Sequence, residues 1–167
     1  MKKIYISLTF MLLLIVFFPL KCIIKTSSID NSKIFSTQID NFNIKNSLWV
    51  EDNLSTIKKT IKFYKKNYSD CTSPIEVTFL DVNTFMNKGK VVTGLATWND
   101  PFKINKILVA VQDRALCNII VTYVHEMRHI CENLDDCYDT WNDGCWAKDL
   151  ADQTDLICIN VLTTVED

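Results

Sequence analysis

The feature that most constrains this chain is His125-Glu126-Met127-Arg128-His129, an H-E-x-x-H sequence set in a long helical pattern of apolar residues. An α-helix turns once every 3.6 residues, so positions 125 and 129 project from one face. Two imidazoles stacked in that way can hold one Zn²⁺ on a rigid support, with Glu126 beside them to handle a proton. The sequence has only two histidines, and both lie in this motif. Chance would place two histidines four apart, the first followed by glutamate, on the order of once in a thousand arrangements or less. Around the motif Leu116, Ile119, Ile120, Tyr123, Val124, Met127 and Ile130 cover a broad apolar face. They predict a central, mostly buried helix with Asp113 as its N-cap.

A length of 167 residues supports one domain with its own hydrophobic core. The net charge of −2 argues against a partner bound by phosphate neutralisation, so no nucleic-acid partner is expected. Lys2 and Lys3 precede an apolar run from Ile4 to Leu20. Residues 1–22 therefore read as a secretory signal peptide or, if uncleaved, an N-terminal anchor and the only membrane contact. Either way the remainder is expected to be secreted, periplasmic or otherwise extracytoplasmic. Beyond Cys22 the six cysteines Cys71, Cys117, Cys131, Cys137, Cys145 and Cys158 then read as up to three disulfides.

Residues 23–50 are polar, without sustained periodicity, and read as an N-terminal extension. Leu54, Ile57, Ile61, Tyr64 and Tyr68 predict an amphipathic helix over 53–68, capped by Asp52 or Asn53. Ile75 to Phe79 alternates with period two and predicts a strand. Asn87-Lys88-Gly89 is a turn signal, followed by strand candidates Val91 to Trp98 and Ile104 to Val111. A further helix is expected to start after Gly144 and run through Trp146, Leu150, Ile157 and Val161. Between it and the motif lies an acidic loop, Glu132 to Asp143. This order predicts an α+β domain over 51–167: a short, mostly antiparallel sheet, and a central H-E-x-x-H helix packed on a C-terminal helix.

That order, with the motif on the helix after the last strand, resembles the zincin metallopeptidases. More narrowly, Thr93-Gly94-Leu95-Ala96, Ile104 to Val111 and Val124-His125-Glu126-Met127-Arg128-His129 look like the SprT-like group. There a Gly-containing strand and a regular edge strand precede an H-E-M-x-H helix, and the third zinc ligand is a histidine beyond it, often in a D-x-H-G setting. The resemblance covers roughly residues 53–160. This chain departs from it at Asp143-Gly144-Cys145-Trp146, where no third histidine exists.

Catalytic zinc usually has three protein ligands and one open position, so a residue must follow His129. Asp135 lies ten residues after His125, as the third ligand does in metzincin-like sites, but Glu132 stands where those sites place a turning glycine. Cys145 replaces the SprT-like histidine and would be lost as a ligand by oxidation. Asp149 and Asp152 lie on the following helix, where gluzincins place a carboxylate. In an antiparallel helix pair, facing positions have a constant index sum. Cys131 with Cys145 and Cys117 with Cys158 fit one such register, and both are expected disulfides. The same register sets the histidines opposite Asp149, although at 100° per residue Asp149 and Cys158 point to opposite sides. Asp149 is the preferred third ligand, ahead of Asp152, Cys145 and Asp135.

The expected function is a zinc peptidase in which Glu126 is the general base for water attacking a peptide bond. Tyr123 or Tyr138 could donate to the oxyanion, although ordinary packing is the commoner role. A peptide or protein substrate would pair along the Ile104 to Val111 strand. Two alternatives come from other classes. One is a secreted zinc-binding protein without proteolytic activity, its metal closed in by Cys145. The other is a disulfide-stabilised interaction module.

Overall fold

A computed structural model describes residues 36–98, 104–135 and 145–164. Strands β1 (Ser36–Ile39) and β2 (Phe42–Lys45) pair antiparallel across a turn at Asp40, whose φ of 51° is the left-handed conformation that aspartate tolerates. Phe42 and Ile44 are fully buried. Residues 36–45 of the expected 23–50 extension thus form a hairpin of the sheet, and the folded domain includes them rather than starting at 51. Alternation at only two positions, in a stretch rich in Asn, Ser and Lys, is too short to stand out as a strand pattern.

Helix α1 (Leu48–Asn67) begins five residues earlier than its periodicity suggested. Its N-cap is Ser47, whose hydroxyl accepts from the Val50 N–H at 3.3 Å. Asn53 lies inside the helix and donates instead to the Trp49 carbonyl. Buried Val50, Ile57, Ile61 and Tyr64 continue the apolar stripe. β3 (Ile75–Leu80) follows, with Ile75, Val77 and Phe79 buried in alternation as the sequence predicts.

The turn signal forms the hairpin of β4 (Phe85–Asn87) and β5 (Lys90–Val92). Lys88 and Gly89 both have positive φ, 47° and 80°, the twist that a two-residue hairpin turn requires. The single strand expected from Val91 to Trp98 is therefore two. Its second half, β6 (Gly94–Thr97), leaves the hairpin and joins the larger sheet. β7 (Asn105–Ala110) completes that sheet in the order β1-β2-β3-β7-β6. With the separate β4–β5 hairpin included, three of the five strand pairings are antiparallel, while β2–β3 and β3–β7, at the centre of the larger sheet, are parallel. Because β7 lies between β3 and β6, the Ile104 to Val111 strand is interior and cannot be the edge on which a peptide pairs. β6 is an edge.

Helix α2 (Leu116–Cys131) carries the H-E-x-x-H motif and packs on β6 and β7. Its N-cap is Ala115, without a side-chain bond, and Asp113 instead makes the left-handed turn out of β7 with φ 54°. Arg114 takes over the fastening: its guanidinium donates to the Ala110 carbonyl at 2.6 Å and to the Thr122 hydroxyl at 2.8 Å.

The expected C-terminal helix breaks at Gln153 into α3 (Trp146–Asp152) and α4 (Thr154–Thr163). α4 packs on α1 and α2, and Cys117–Cys158 bridges α2 and α4 as the index sum predicts. Cys131 pairs with Cys71, not Cys145. The constant-sum register holds only along a continuous helix, and the break at Gln153 ends it. Cys71 lies between α1 and β3, where the end of α2 reaches it. These disulfides are compatible with an extracellular location. Among the described residues no helix is long and apolar enough to cross a membrane. The leader, Cys137, Tyr138 and most of the acidic loop lie outside the described residues.

Candidate metal centre

Helical geometry does for the two histidines what their spacing implies. Nε2 of His125 and Nε2 of His129 lie 3.0 Å apart. Two nitrogens about 2.0–2.1 Å from one tetrahedral Zn²⁺ would be roughly 3.3 Å apart, so the pair fits a shared ion with little adjustment.

The second nitrogen of His129 explains which atom is available. Its Nδ1 is hydrogen-bonded to the backbone carbonyl of Leu134. A carbonyl only accepts, so Nδ1 carries the hydrogen, and the neutral ring keeps its lone pair on Nε2. Such a bond commonly orients a metal-binding histidine. The carbonyl gets there because Asn133, just past the helix, adopts a left-handed φ of 55°. Asparagine can take that conformation at a helix C-terminus. The glycine missing at position 132 is thus not needed, because the chain turns one residue later. Asn133 is itself held by Trp98, whose Nε1–H donates to its side-chain oxygen at 3.0 Å.

Tryptophans enclose the rings. Trp98 stacks on His129 with centroids 5.0 Å apart, and Trp146 lies 4.7 Å from His125 and 5.2 Å from His129. Sequence reasoning did not assign these roles. Trp98 directly follows β6 and Trp146 starts α3, and only the tertiary fold brings both to α2.

Glu126 is 6 % exposed and faces β6. A Cβ on Gly94 would stand 2.3 Å from Glu126 Oε1 and 2.6 Å from Thr122 Cγ2, so with any other residue there the Glu126 carboxylate, the Thr122 methyl or the strand would have to shift. His125, Glu126, His129, Gly94, Trp98 and Asp135 all line one cavity of about 1050 Å³. The β4–β5 hairpin forms another wall with Lys88 and Lys90.

Among the described residues no group of three His, Cys, Asp or Glu side chains is close enough to hold a metal. The four candidate third ligands separate clearly. Asp149 is exposed on α3 and does not line the cavity, whereas its neighbours Ala147, Leu150 and Ala151 do. The register that set it opposite the histidines stops at Gln153. Asp152 is exposed and pairs with Lys148 at 2.8 Å. Cys145 lines the cavity but is disulfide-bonded, so it has no thiolate to offer. Asp135 lines the same cavity as both histidines, one residue after the Leu134 carbonyl that orients His129.

Tyr123 is a core residue. It packs edge-on against Phe42 and Phe79, its hydroxyl has no hydrogen-bond partner among the described residues, and it does not line the cavity. Burial pushes its phenol pKa well above the ordinary value. No protein-family model, curated protein or solved structure matches the chain.

Proposed function

We propose that the chain is an exported zinc peptidase of the zincin type. The observation that carries this reading is the pair of Nε2 atoms 3.0 Å apart, with the tautomer of His129 set by the Leu134 carbonyl. His125 and His129 would hold the ion. Asp135 is the carboxylate best placed to join them, since its exposed side chain can rotate within the same cavity. The proposed third ligand thus moves from Asp149 to Asp135.

The chemistry that zinc supplies in such a site is Lewis acidity, which lowers the pKa of water towards about 7 and polarises a carbonyl. Glu126 follows a ligand directly and lies beside the pair. Its carboxylate accepts the proton of water as the water oxygen adds to the scissile carbon. It returns that proton to the nitrogen as the C–N bond breaks. An extended peptide would add to β6, which has β7 on one side and no strand on the other among the described residues. The cavity beside β6 leaves room for side chains of the peptide. The disulfide at Cys145 counts against the alternative of a closed structural site that uses its thiolate.

The test combines metal content with hydrolysis. Purified protein should hold about one zinc per chain, and His125→Ala or His129→Ala should lose it under chelator challenge. Native protein should cleave members of a mixed-peptide library. Glu126→Gln should keep zinc and lower cleavage by roughly 10²–10⁴-fold, because the amide cannot act as a base at neutral pH. Equal cleavage by the Gln variant would refute the mechanism. Zinc without any cleavage by native protein would favour a metal-binding protein that is not a peptidase.

A further inference from the structure

Arg128 occupies the x position next to the second histidine, where nothing in the hydrolytic chemistry requires an arginine. Its surroundings are nevertheless closely specified. The guanidinium lies 4.8 Å from the Trp146 ring centroid and 5.0 Å from that of Tyr68. Its Nε and an Nη donate to both carboxylate oxygens of Glu132, one helical turn on, at 3.0 and 2.9 Å. Glu132 Oε1 also accepts from the hydroxyl of fully buried Tyr64 at 2.9 Å. One arginine therefore joins the last turns of α1, the motif helix and the first residue of α3.

The indole it holds is the one that covers both histidines. Trp146 packs on His125 and His129, and its Nε1–H donates to the Asp135 carbonyl at 3.0 Å. Its flanking Cys145 is disulfide-bonded, so the start of α3 is fastened on both sides. Trp146 can thus restrict the rotamers of two imidazoles and the backbone of Asp135 together. A flat ring held by a planar cation and a hydrogen bond has little freedom to tilt.

We propose that Arg128 is a positioning residue for the metal centre, acting through Trp146 to hold His125 and His129 in the geometry that binds the ion. The proposal rests on the zinc reading of that centre, but not on peptide hydrolysis. Outer-shell partners of this kind commonly affect metal affinity by 10–100-fold. Lysine would not substitute, because a compact ammonium can neither pair both carboxylate oxygens of Glu132 in a fork nor stack between two rings.

The experiment measures zinc affinity by competition with a chromophoric chelator, and the absorption spectrum of protein loaded with Co²⁺ alone. It compares native protein with Arg128→Lys, Arg128→Met/Glu132→Gln, Trp146→Phe and Val161→Ala. The double variant removes both charges, so that no half-buried carboxylate is left unpaired. Val161→Ala removes buried volume in α4, outside the cavity, and controls for loss of stability alone. Arg128→Lys and the double variant should bind zinc about tenfold or more weakly and shift the Co²⁺ bands, while metal-free circular dichroism stays native. Trp146→Phe keeps a ring over the histidines but loses the Nε1 bond, so its affinity should fall between those values and the native one. Val161→Ala should lower the melting temperature and leave affinity unchanged. Native affinity and an unshifted Co²⁺ spectrum in the folded double variant would overturn the proposal, as would native affinity in Arg128→Lys. Native protein that binds no zinc would overturn the metal reading and this inference together. Native protein that binds zinc but cleaves nothing would refute the peptidase reading alone, and the affinities would still decide the role of Arg128.

Discussion

Gly94 on the edge strand leaves the space that the Glu126 carboxylate fills: a Cβ at position 94 would stand 2.3 Å from Oε1. Both oxygen and carbon would have to move, and the nearby Thr122 methyl, 2.6 Å from the same point, blocks the alternative direction. Gly94→Ala should therefore displace Glu126 or push β6 outward. The expected outcome is a fall in kcat/KM of at least tenfold, with zinc content unchanged because the atoms nearest that Cβ belong to Glu126 and Thr122 and not to a histidine. Loss of zinc together with activity would mean that the strand supports the metal helix as a whole. Native activity in the variant would remove Glu126 from the role proposed for it.

The third ligand can be separated by paired variants. Asp135→Asn should weaken zinc binding, whereas Asp149→Asn, on an exposed face outside the cavity, should leave it unchanged. Affinity measured by chelator competition checks both, and anomalous scattering at the zinc edge would identify the ligand directly. The reverse result would restore the order expected from the sequence.

Non-reducing peptide mapping should recover Cys71 with Cys131 and Cys117 with Cys158. The bridges span 60 and 41 residues, and chain-entropy reasoning gives about 4 kcal/mol of stabilisation for loops of that size. Cys71→Ser/Cys131→Ser should therefore lower the free energy of unfolding by several kcal/mol. It should also loosen the end of α2, just past His129. Recovery of Cys131 with Cys145 would contradict the fold at that end.

Stability should fall at alkaline pH. Burial, reinforced by the hydrogen bond to Glu132 and that carboxylate's charge, pushes the Tyr64 phenol well above its ordinary pKa. Burial does the same to Tyr123. The folded state then holds these protons more tightly than the unfolded chain does. Their contribution is complete below the unfolded tyrosine pKa of about 10 and is lost progressively as pH rises above it. The urea midpoint should be nearly constant from about pH 8 to 9 and decline above about 10, with a smaller decline in Tyr64→Phe. Equal declines in the two proteins would show that Tyr64 ionises without cost.

Reading by period succeeded where structure is local. The motif helix, the β3 alternation and the Asn87 to Gly89 turn are set by neighbours two to four positions apart, and those distances are visible in a one-dimensional pattern. The same logic placed Cys117 opposite Cys158, because α2 and α4 are each continuous around those residues. It failed for Cys131, which pairs with Cys71, since it assumed a single helix where Gln153 separates two; Asp149, set opposite the histidines on the same assumption, lies outside the cavity they line.

By itself the sequence determined that His125 and His129 share a helical face, that Glu126 stands next to them, and that an apolar stripe buries that helix. Intervals of three and four residues settle these matters through backbone geometry alone. Only the tertiary structure decided that β7 is interior and β6 an edge, that Phe42 and Ile44 belong to the core, and that Trp98, Leu134 and Trp146 surround the histidines. Those relationships depend on which elements lie side by side. Adjacency of that kind comes from burying several amphipathic faces at once, and no interval along the chain encodes it. Gly94 belongs to both groups: its place in a strand was legible, but the carboxylate that requires it to lack a side chain lies 32 residues away.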